Sequence, residues 1–416
     1  MKTIAVIGAG ISGLAAAYFL SRKYRVHVFE RDARIGGHTN TVHVETPDGR
    51  LALDTGFLVY NERTYPNLTR LFAELGVETR ASDMSFAVSA PHIGLEYSSR
   101  GVAGFFADPR RWVDPGHYRL LAEVVRFNAV ASASLESDDG LDGTVDAFLE
   151  QGRFTQAFID HYLKPMASAI WSTPAGGIGA FPAVTMLRFF DNHGLLALRS
   201  QPTWRVVANG SASYIPKLTR PFVESVHCNV DIRAVCRSTE SVTLTFADRA
   251  SITVDQVVFA CGGDRVLKLL PAPTEAERRV FGAFSTTTNT AWLHRDASFL
   301  PRRPRAQASW NYLVTGNPSE PPVVTYDLNR LQGLASPQRY CVTLNPSRSI
   351  DEAHVIDRFV YHHPLYTHQA IGAQQSWASI SGAHRTHYCG AYWGHGFHED
   401  GLSSALRVAR ALGVEW

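Results

Sequence analysis

Long hydrophobic runs, paired cysteines and an excess of either charge are all missing from this sequence. No apolar stretch reaches about 18 residues, the length that crosses a hydrocarbon core as a helix, so no transmembrane segment is expected. The five cysteines, Cys228, Cys236, Cys261, Cys341 and Cys389, are scattered and free of CxxC spacing. That pattern excludes a disulfide scaffold and suits reduced thiols in a cytoplasmic enzyme. Lys and Arg number 40 against 38 Asp and Glu, which argues against a nucleic-acid surface. There is no HExxH motif and no cysteine set. The HxxH pairs His384/His387 and His395/His398 lack a third ligand, so no metal is expected. The absence of a GxSxG elbow argues against a serine hydrolase. Repeats and low-complexity tracts are absent too. Lys2 followed by apolar residues imitates an export signal, but that run carries the glycine motif described next, so export is not expected.

What the chain does have lies first at its beginning. Ile4-Ala5-Val6-Ile7 is a short apolar run of the kind buried in a parallel sheet. Gly8, Gly10 and Gly13 follow in GxGxxG spacing around Ser12, and Leu14 to Leu20 is apolar enough for a packed helix. Val26-His27-Val28-Phe29 reads as a second strand, closed by Glu30. This is a dinucleotide-binding fingerprint. Its glycines let a pyrophosphate approach the backbone, the helix start offers N–H groups and a positive dipole end, and the acid accepts hydrogen bonds from a ribose. Arg31, Arg34, Gly36, Gly37 and His38 come next. A nicotinamide domain has no use for a cation and a second glycine pair there, whereas a longer, buried FAD needs a second backbone approach to its phosphates.

The stretches VIGAGISGLAAAY and ERDARIGG resemble the flavin-containing amine oxidase and phytoene desaturase superfamily. More narrowly, LDTGFLVYNERTYPNLTRLFAELGV, AIWSTPAGGIGAFPAVTMLRFFDNHGLL, TWRVVANGSASYIPKL, FVYHHPLYT and YCGAYWGHGFHEDGLSSAL resemble a bacterial amine-oxidase-like subgroup over nearly the whole chain. That subgroup has been linked to oxidation of modified membrane acyl chains. The resemblance implies non-covalent FAD and an α/β fold. A Rossmann-like FAD-binding lobe of glutathione-reductase type, with a parallel sheet, is interleaved with an α+β substrate lobe. The FAD lobe takes residues 1–81, 205–283 and 370–416, and the substrate lobe takes 82–204 and 284–369. It also places Thr55 and Gly56 beside the flavin ring and Ile232 at the adenine, and it turns the chain back to the cofactor at Cys261. Gly390, Ala391, Gly401 and Leu402 close the site at the far end, where the helix expected from Ser403 to Leu412 starts with Asp400 as N-cap. The chain departs from the family pattern at His38, where the superfamily has Arg, and at Ala391, where it often has Asp.

Chemistry is assigned on this frame. His395, His363, Tyr366 and Tyr392 are the catalytic candidates. Phe181, Phe189, Phe190, Trp204, Tyr312, Tyr392, Trp393 and Phe397 fall where an apolar cavity would be lined, although most such aromatics are core. Gly104-Phe105-Phe106 with Arg110-Arg111-Trp112 could dip into a membrane surface or form a plain surface loop. The cluster Arg302, Arg303 and Arg305 reads as a solvated loop. The favoured function is oxidation of an apolar substrate, such as a modified fatty acyl chain, by hydride transfer to flavin N5 in a desaturation-type reaction. The alternatives are a flavin amine oxidase on a small amine and a non-redox flavin-dependent isomerase. The expected partner is a small molecule or lipid acyl chain, with no nucleic acid. The electron acceptor is oxygen, a quinone or a protein. The expected location is cytoplasmic, with room for a peripheral contact at the inner face of the membrane.

Overall fold

The computed structural model describes residues 1–416 except 48, 138–140 and 198–200. The opening run forms strand β1 (Thr3–Ile7), helix α1 (Ile11–Leu20) and strand β2 (Arg25–Phe29). Strand β1 is flanked by β2 and by β3 (Gln256–Phe259), β3 pairs with β4 (Thr386–Tyr388), and Val226–His227 extends the other edge; all four pairings are parallel. Successive residues of β1 point to opposite faces. Ile4 and Val6 bury into a core shared with α1 and the C-terminal helix. Ala5 and Ile7 bury into another built on the small sheet of residues 232–254. A parallel sheet covered on both sides leaves its strand ends as the place where a ligand can approach.

The second body of structure is a seven-stranded sheet. Its order is Val355–Leu365, Ser285–His294, Cys341–Leu344, Val323–Asp327, Trp310–Leu313, Phe86–Ala90 and Leu95–Ser98. Residues from Ser82 to about Trp204 read in sequence as helices and aromatic-rich loops, so the last two strands are a correction. Phe86–Ala90 carries Ala and Ser as well as Phe and Val, a weak strand signal by itself. Its parallel pairing with Trp310–Leu313, more than 200 residues away, stabilises it. Helices cover this sheet, above all α2 (Pro115–Ser137), whose His117, Leu120, Val124 and Phe127 face inward. Thr144 to Tyr162 reads in sequence as helical, but the helix Val145–Gln151 stops there, and Arg153 adopts a left-handed φ of 50°. The final helix, α3 (His398–Ala411), starts five residues earlier than the apolar run suggests. Asp400 is not its N-cap but sits inside the first turn, its carboxylate accepting the Phe397 N–H at 2.9 Å. Among the described residues no helix is long and apolar enough to cross a membrane.

Candidate active site

The glycine turn after β1 is shaped by contacts that leave no room for side chains. Gly8 holds a φ of 104°, its N–H bonded to Phe29 C=O at 2.8 Å. A Cβ on Gly13 would lie 1.9 Å from the Gly8 carbonyl oxygen, so this glycine lets α1 close onto the turn. Gly10 differs: a Cβ there would meet nothing within 4 Å, and no side chain caps α1. The start of α1 therefore faces the cavity with its first N–H groups uncapped by any side chain, the arrangement an anion requires. The second glycine pair lies against this turn, with Gly36 N–H bonded to Ala9 C=O at 2.7 Å. Arg34 donates to the Gly37 and Thr39 carbonyls at 2.8 and 3.2 Å, so it braces that loop. Glu30 accepts the Ala9 and Asp32 N–H groups at 2.7 and 3.0 Å, which ties the end of β2 to the glycine turn.

The C-terminal segment reaches the same place. Gly401, in the first turn of α3, would put a Cβ 2.8 Å from Ser12 Oγ. The Gly390 N–H donates to Ser404 Oγ at 3.1 Å, which fixes the strand-to-helix loop on α3. Residues from both ends of the chain thus line one cavity of about 590 Å³. Gly8, Gly10, Ser12, Glu30, Arg31, Arg34, Gly36, Gly37, His38, Gly56, Ile232, Cys261, Gly390 and Ala391 all border it. So do His363, Tyr366, Tyr392 and His395. Gly13, Thr55, Gly401 and Leu402 stand just behind the wall. Thr55 holds the Tyr361 hydroxyl at 2.8 Å, and Leu402 is wholly buried against α1. Of the aromatics singled out in the sequence, Phe189, Trp204, Tyr392 and Phe397 line the cavity, while Phe181, Phe190, Tyr312 and Trp393 are core.

The cavity is electrically divided. Its charged lining residues, Glu30, Arg31, Asp32, Arg34, Asp231, Asp264 and Arg265, cluster around the glycine turn. Towards the seven-stranded sheet the described lining residues carry no Asp, Glu, Lys or Arg; Met84, Phe86, Met166, Ile170, Trp171 and Trp310 form the wall. Burial holds three of the lining histidines, His38, His363 and His398, neutral. Burial, with Arg34 nearby, pushes His38 down to about 4. Burial likewise lowers His363 to about 3 and His398 to about 3. His398 stacks on Phe57 at 3.7 Å and shares a 2.9 Å hydrogen bond with Thr39. His38 stacks on Tyr361 at 4.9 Å. The buried His38 Nε2, Tyr366 Oη and Tyr392 Oη have no partner among the described residues.

One tautomer can be read from backbone anchors. The Thr290 N–H donates to Asn345 Oδ1 at 2.9 Å, and Asn345 Nδ2 donates to the Pro322 carbonyl and to Asn289 Oδ1 at 3.0 and 2.7 Å. A backbone N–H only donates and a carbonyl only accepts, so both amides are oriented. Asn289 Nδ2 must then donate to His363 Nδ1, 3.0 Å away. The neutral imidazole carries its proton on Nε2. Asn289 and Tyr361 were missed in the sequence because Val355–Leu365 was not read as a strand. Its register places Tyr361 opposite Asn289 and His363 opposite Thr287.

An uncapped helix start, a cradle that a Cβ would fill and unpartnered polar atoms deeper in the cavity fit a long dinucleotide with a polar heterocycle at its far end. Residues 6–75 match the model of the NAD(P)-binding Rossmann-like domain. The chain is 25% identical over 334 residues to coproporphyrinogen III oxidase of Mycobacterium leprae, covering 72% of this chain and 68% of that protein. It is 34% identical over 116 residues to the flavin-containing amine oxidase A of Sus scrofa, covering 27% of this chain and 21% of that protein. Its fold is that of the cyclohexylamine oxidase from Brevibacterium oxydans, with a TM-score of 0.69, 16% identity and 99% of both chains covered. The chain is thus similar to flavin-dependent amine and porphyrinogen oxidases, and it is an FAD-dependent oxidoreductase.

Proposed function

We propose that this enzyme oxidises an uncharged, apolar substrate, a fatty acyl chain, in a desaturation-type reaction. The observation that carries the reading is the electrical division of the cavity. A polyamine would bring cations to a wall without a carboxylate, and a porphyrinogen would bring propionates to a wall without a cation. Desolvating an unpaired charge costs several kcal/mol, on the order of the whole binding energy of a small ligand. An acyl chain loses nothing there and gains about 0.8 kcal/mol per buried methylene.

In this reading the first-turn N–H groups of α1, Gly10 and the Gly36-Gly37 pair hold the pyrophosphate. Glu30 takes the ribose, and Ile232 and Cys261 lie at the adenine end. His38, Gly56, Gly390 and Ala391 border the ring, with Gly401 and Leu402 bringing the start of α3 towards it. Bound FAD supplies the acceptor for two electrons as hydride at N5. Removing hydride and a proton from adjacent carbons leaves a C=C bond, so the proton needs an acceptor. His363 cannot serve, because its Nδ1 already accepts from Asn289; it presents an N–H donor. His395 is the better acceptor: it lines the cavity on the loop that leads into α3, and an imidazole can take up a proton there. Tyr366 and Tyr392, whose hydroxyls burial drives far up, stay neutral and shape the wall.

Anaerobic mixing with a panel of fatty acids, phospholipids and amines tests this. Loss of the oxidised flavin absorbance with acyl substrates, and none with polyamines, is the expected result. Bleaching by an amine while every lipid leaves the spectrum unchanged would overturn it.

A further inference from the structure

Ten large apolar side chains are exposed among the described residues, and seven of them lie between residues 93 and 125, so exposure is concentrated in one region of the substrate lobe. The loops before α2 contribute Val102, Trp112 and Val113, which are 64%, 49% and 83% exposed. Helix α2 continues the surface. Its inner face is the buried one described above, and its outer face carries a second apolar stripe of Tyr118, Leu121, Ala122, Val125 and Ala129, all exposed. The parts adjoin. Trp112 stacks on Phe106 at 4.5 Å, Tyr118 reaches the same ring at 5.1 Å, and the Tyr118 hydroxyl donates to the Trp112 carbonyl at 3.0 Å. Phe106 itself is buried, so the Phe105-Phe106 pair supports this surface from beneath.

Charge around the patch is sorted by depth. Of the four acids among residues 93–129, Glu96, Asp108 and Glu123 are buried, and Asp114 pairs with Arg111 at 2.6 Å. Arg100, Arg110 and Arg119 are exposed. The cluster noted in the sequence joins them. Arg303 turns inward to Glu96 and Asp108, at 3.1 and 2.8 Å, while Arg302 and Arg305 remain exposed. The surface is thus an apolar ridge with an aromatic at its edge and an arginine rim that carries no exposed acid among the described residues from 93 to 129.

We infer that this face docks on a lipid bilayer containing anionic phospholipid. Apolar side chains and a Trp at the boundary of headgroups and acyl chains, with arginines meeting the phosphates, is the chemistry of an interfacial anchor. A second copy of this chain is the poorer occupant. A two-fold interface sets each patch against itself, and here it would oppose arginine rims with no exposed acid between them among residues 93–129. The inference does not depend on which substrate the cavity takes.

Sedimentation of the FAD-loaded protein with vesicles of phosphatidylcholine, with and without phosphatidylglycerol, decides the matter. Binding is expected to require phosphatidylglycerol and to weaken with salt. Arg119→Glu and Arg305→Glu should each weaken it about fivefold. Val113→Asp, at a position open enough to leave folding and flavin content unchanged, should weaken it at least about tenfold. Failure of the wild type to sediment with anionic vesicles, or binding that Val113→Asp leaves intact, overturns the inference. So does a dimer by light scattering that Val113→Asp converts to monomer.

Discussion

Gly13→Ala is expected to strip the protein of FAD. The new methyl carbon would stand 1.9 Å from the Gly8 carbonyl oxygen and 3.2 Å from the Ala260 Cβ. The first of these is backbone, so no rotamer change relieves the clash and α1 must move away from β1. That movement displaces the N–H groups that meet the pyrophosphate. Every 1.4 kcal/mol lost there is about a tenfold loss of affinity, and overpacking of this kind costs roughly 1–3 kcal/mol or more. Flavin released from purified protein should fall at least about tenfold against wild type. Gly10→Ala is the control: its Cβ meets nothing within 4 Å in the protein, so any loss of FAD in that variant reports the ligand's own space. Normal FAD content in Gly13→Ala would mean that the closeness of α1 to the turn is not what holds the cofactor.

Arg237→Ala carries the largest expected effect on stability. Arg237 ends the strand Ile232–Arg237, and its guanidinium forms a bidentate pair with Glu277 at 2.5 and 3.0 Å, both side chains being buried. Glu277 also accepts the Tyr388 hydroxyl at 2.5 Å and caps its own helix through the Thr274 N–H at 2.7 Å. One carboxylate thus joins the small sheet, a helix and β4. Removing the cation leaves a buried charge, at a cost of about 3–5 kcal/mol. A melting temperature lower by several degrees is the expected readout. The pH dependence gives the sign. Burial alone would raise the Glu277 carboxyl, but hydrogen bonds from Arg237, Tyr388 and Thr274 outweigh it and hold it at about 2, against an ordinary 4.5. A carboxyl depressed on folding contributes stability above pH 4.5 and loses it as pH falls through about 2. The gap between wild type and variant should therefore be widest near neutral pH and shrink as acid is added. A gap that stays constant down to pH 3 would place the effect in packing.

The two ends of the chain were the legible part. Strand, glycine turn, helix and acid fall within the first 30 residues, where local signals suffice, and the structure forms them with β1, α1 and β2 in place. Glycine spacing also reported a tertiary fact, because a Cβ at Gly13 would lie 1.9 Å from the Gly8 carbonyl oxygen and one at Gly401 2.8 Å from Ser12 Oγ. Long-range pairing was much less legible. Phe86–Ala90 has too few β-branched residues to announce itself, and Val355–Leu365 contains Pro364, a residue that argues against a strand yet sits at the end of this edge strand. Missing that strand hid Asn289 and Tyr361 and left His363 as a candidate base. Its proton-accepting nitrogen is occupied only because two amides from distant segments meet there. Asp400 was misplaced because no Ser, Thr, Asn or Asp stands at the true N-cap, Phe397, so the first acidic residue near the apolar run took its role.

The most direct test of the account is the visible spectrum and cofactor content of the purified protein. A yellow protein that releases one FAD per chain, and loses it when Gly13 is replaced, is the predicted result. A colourless protein that takes up no FAD on incubation would contradict the joining of both chain ends around one cofactor, and the chemistry assigned to the cavity with it.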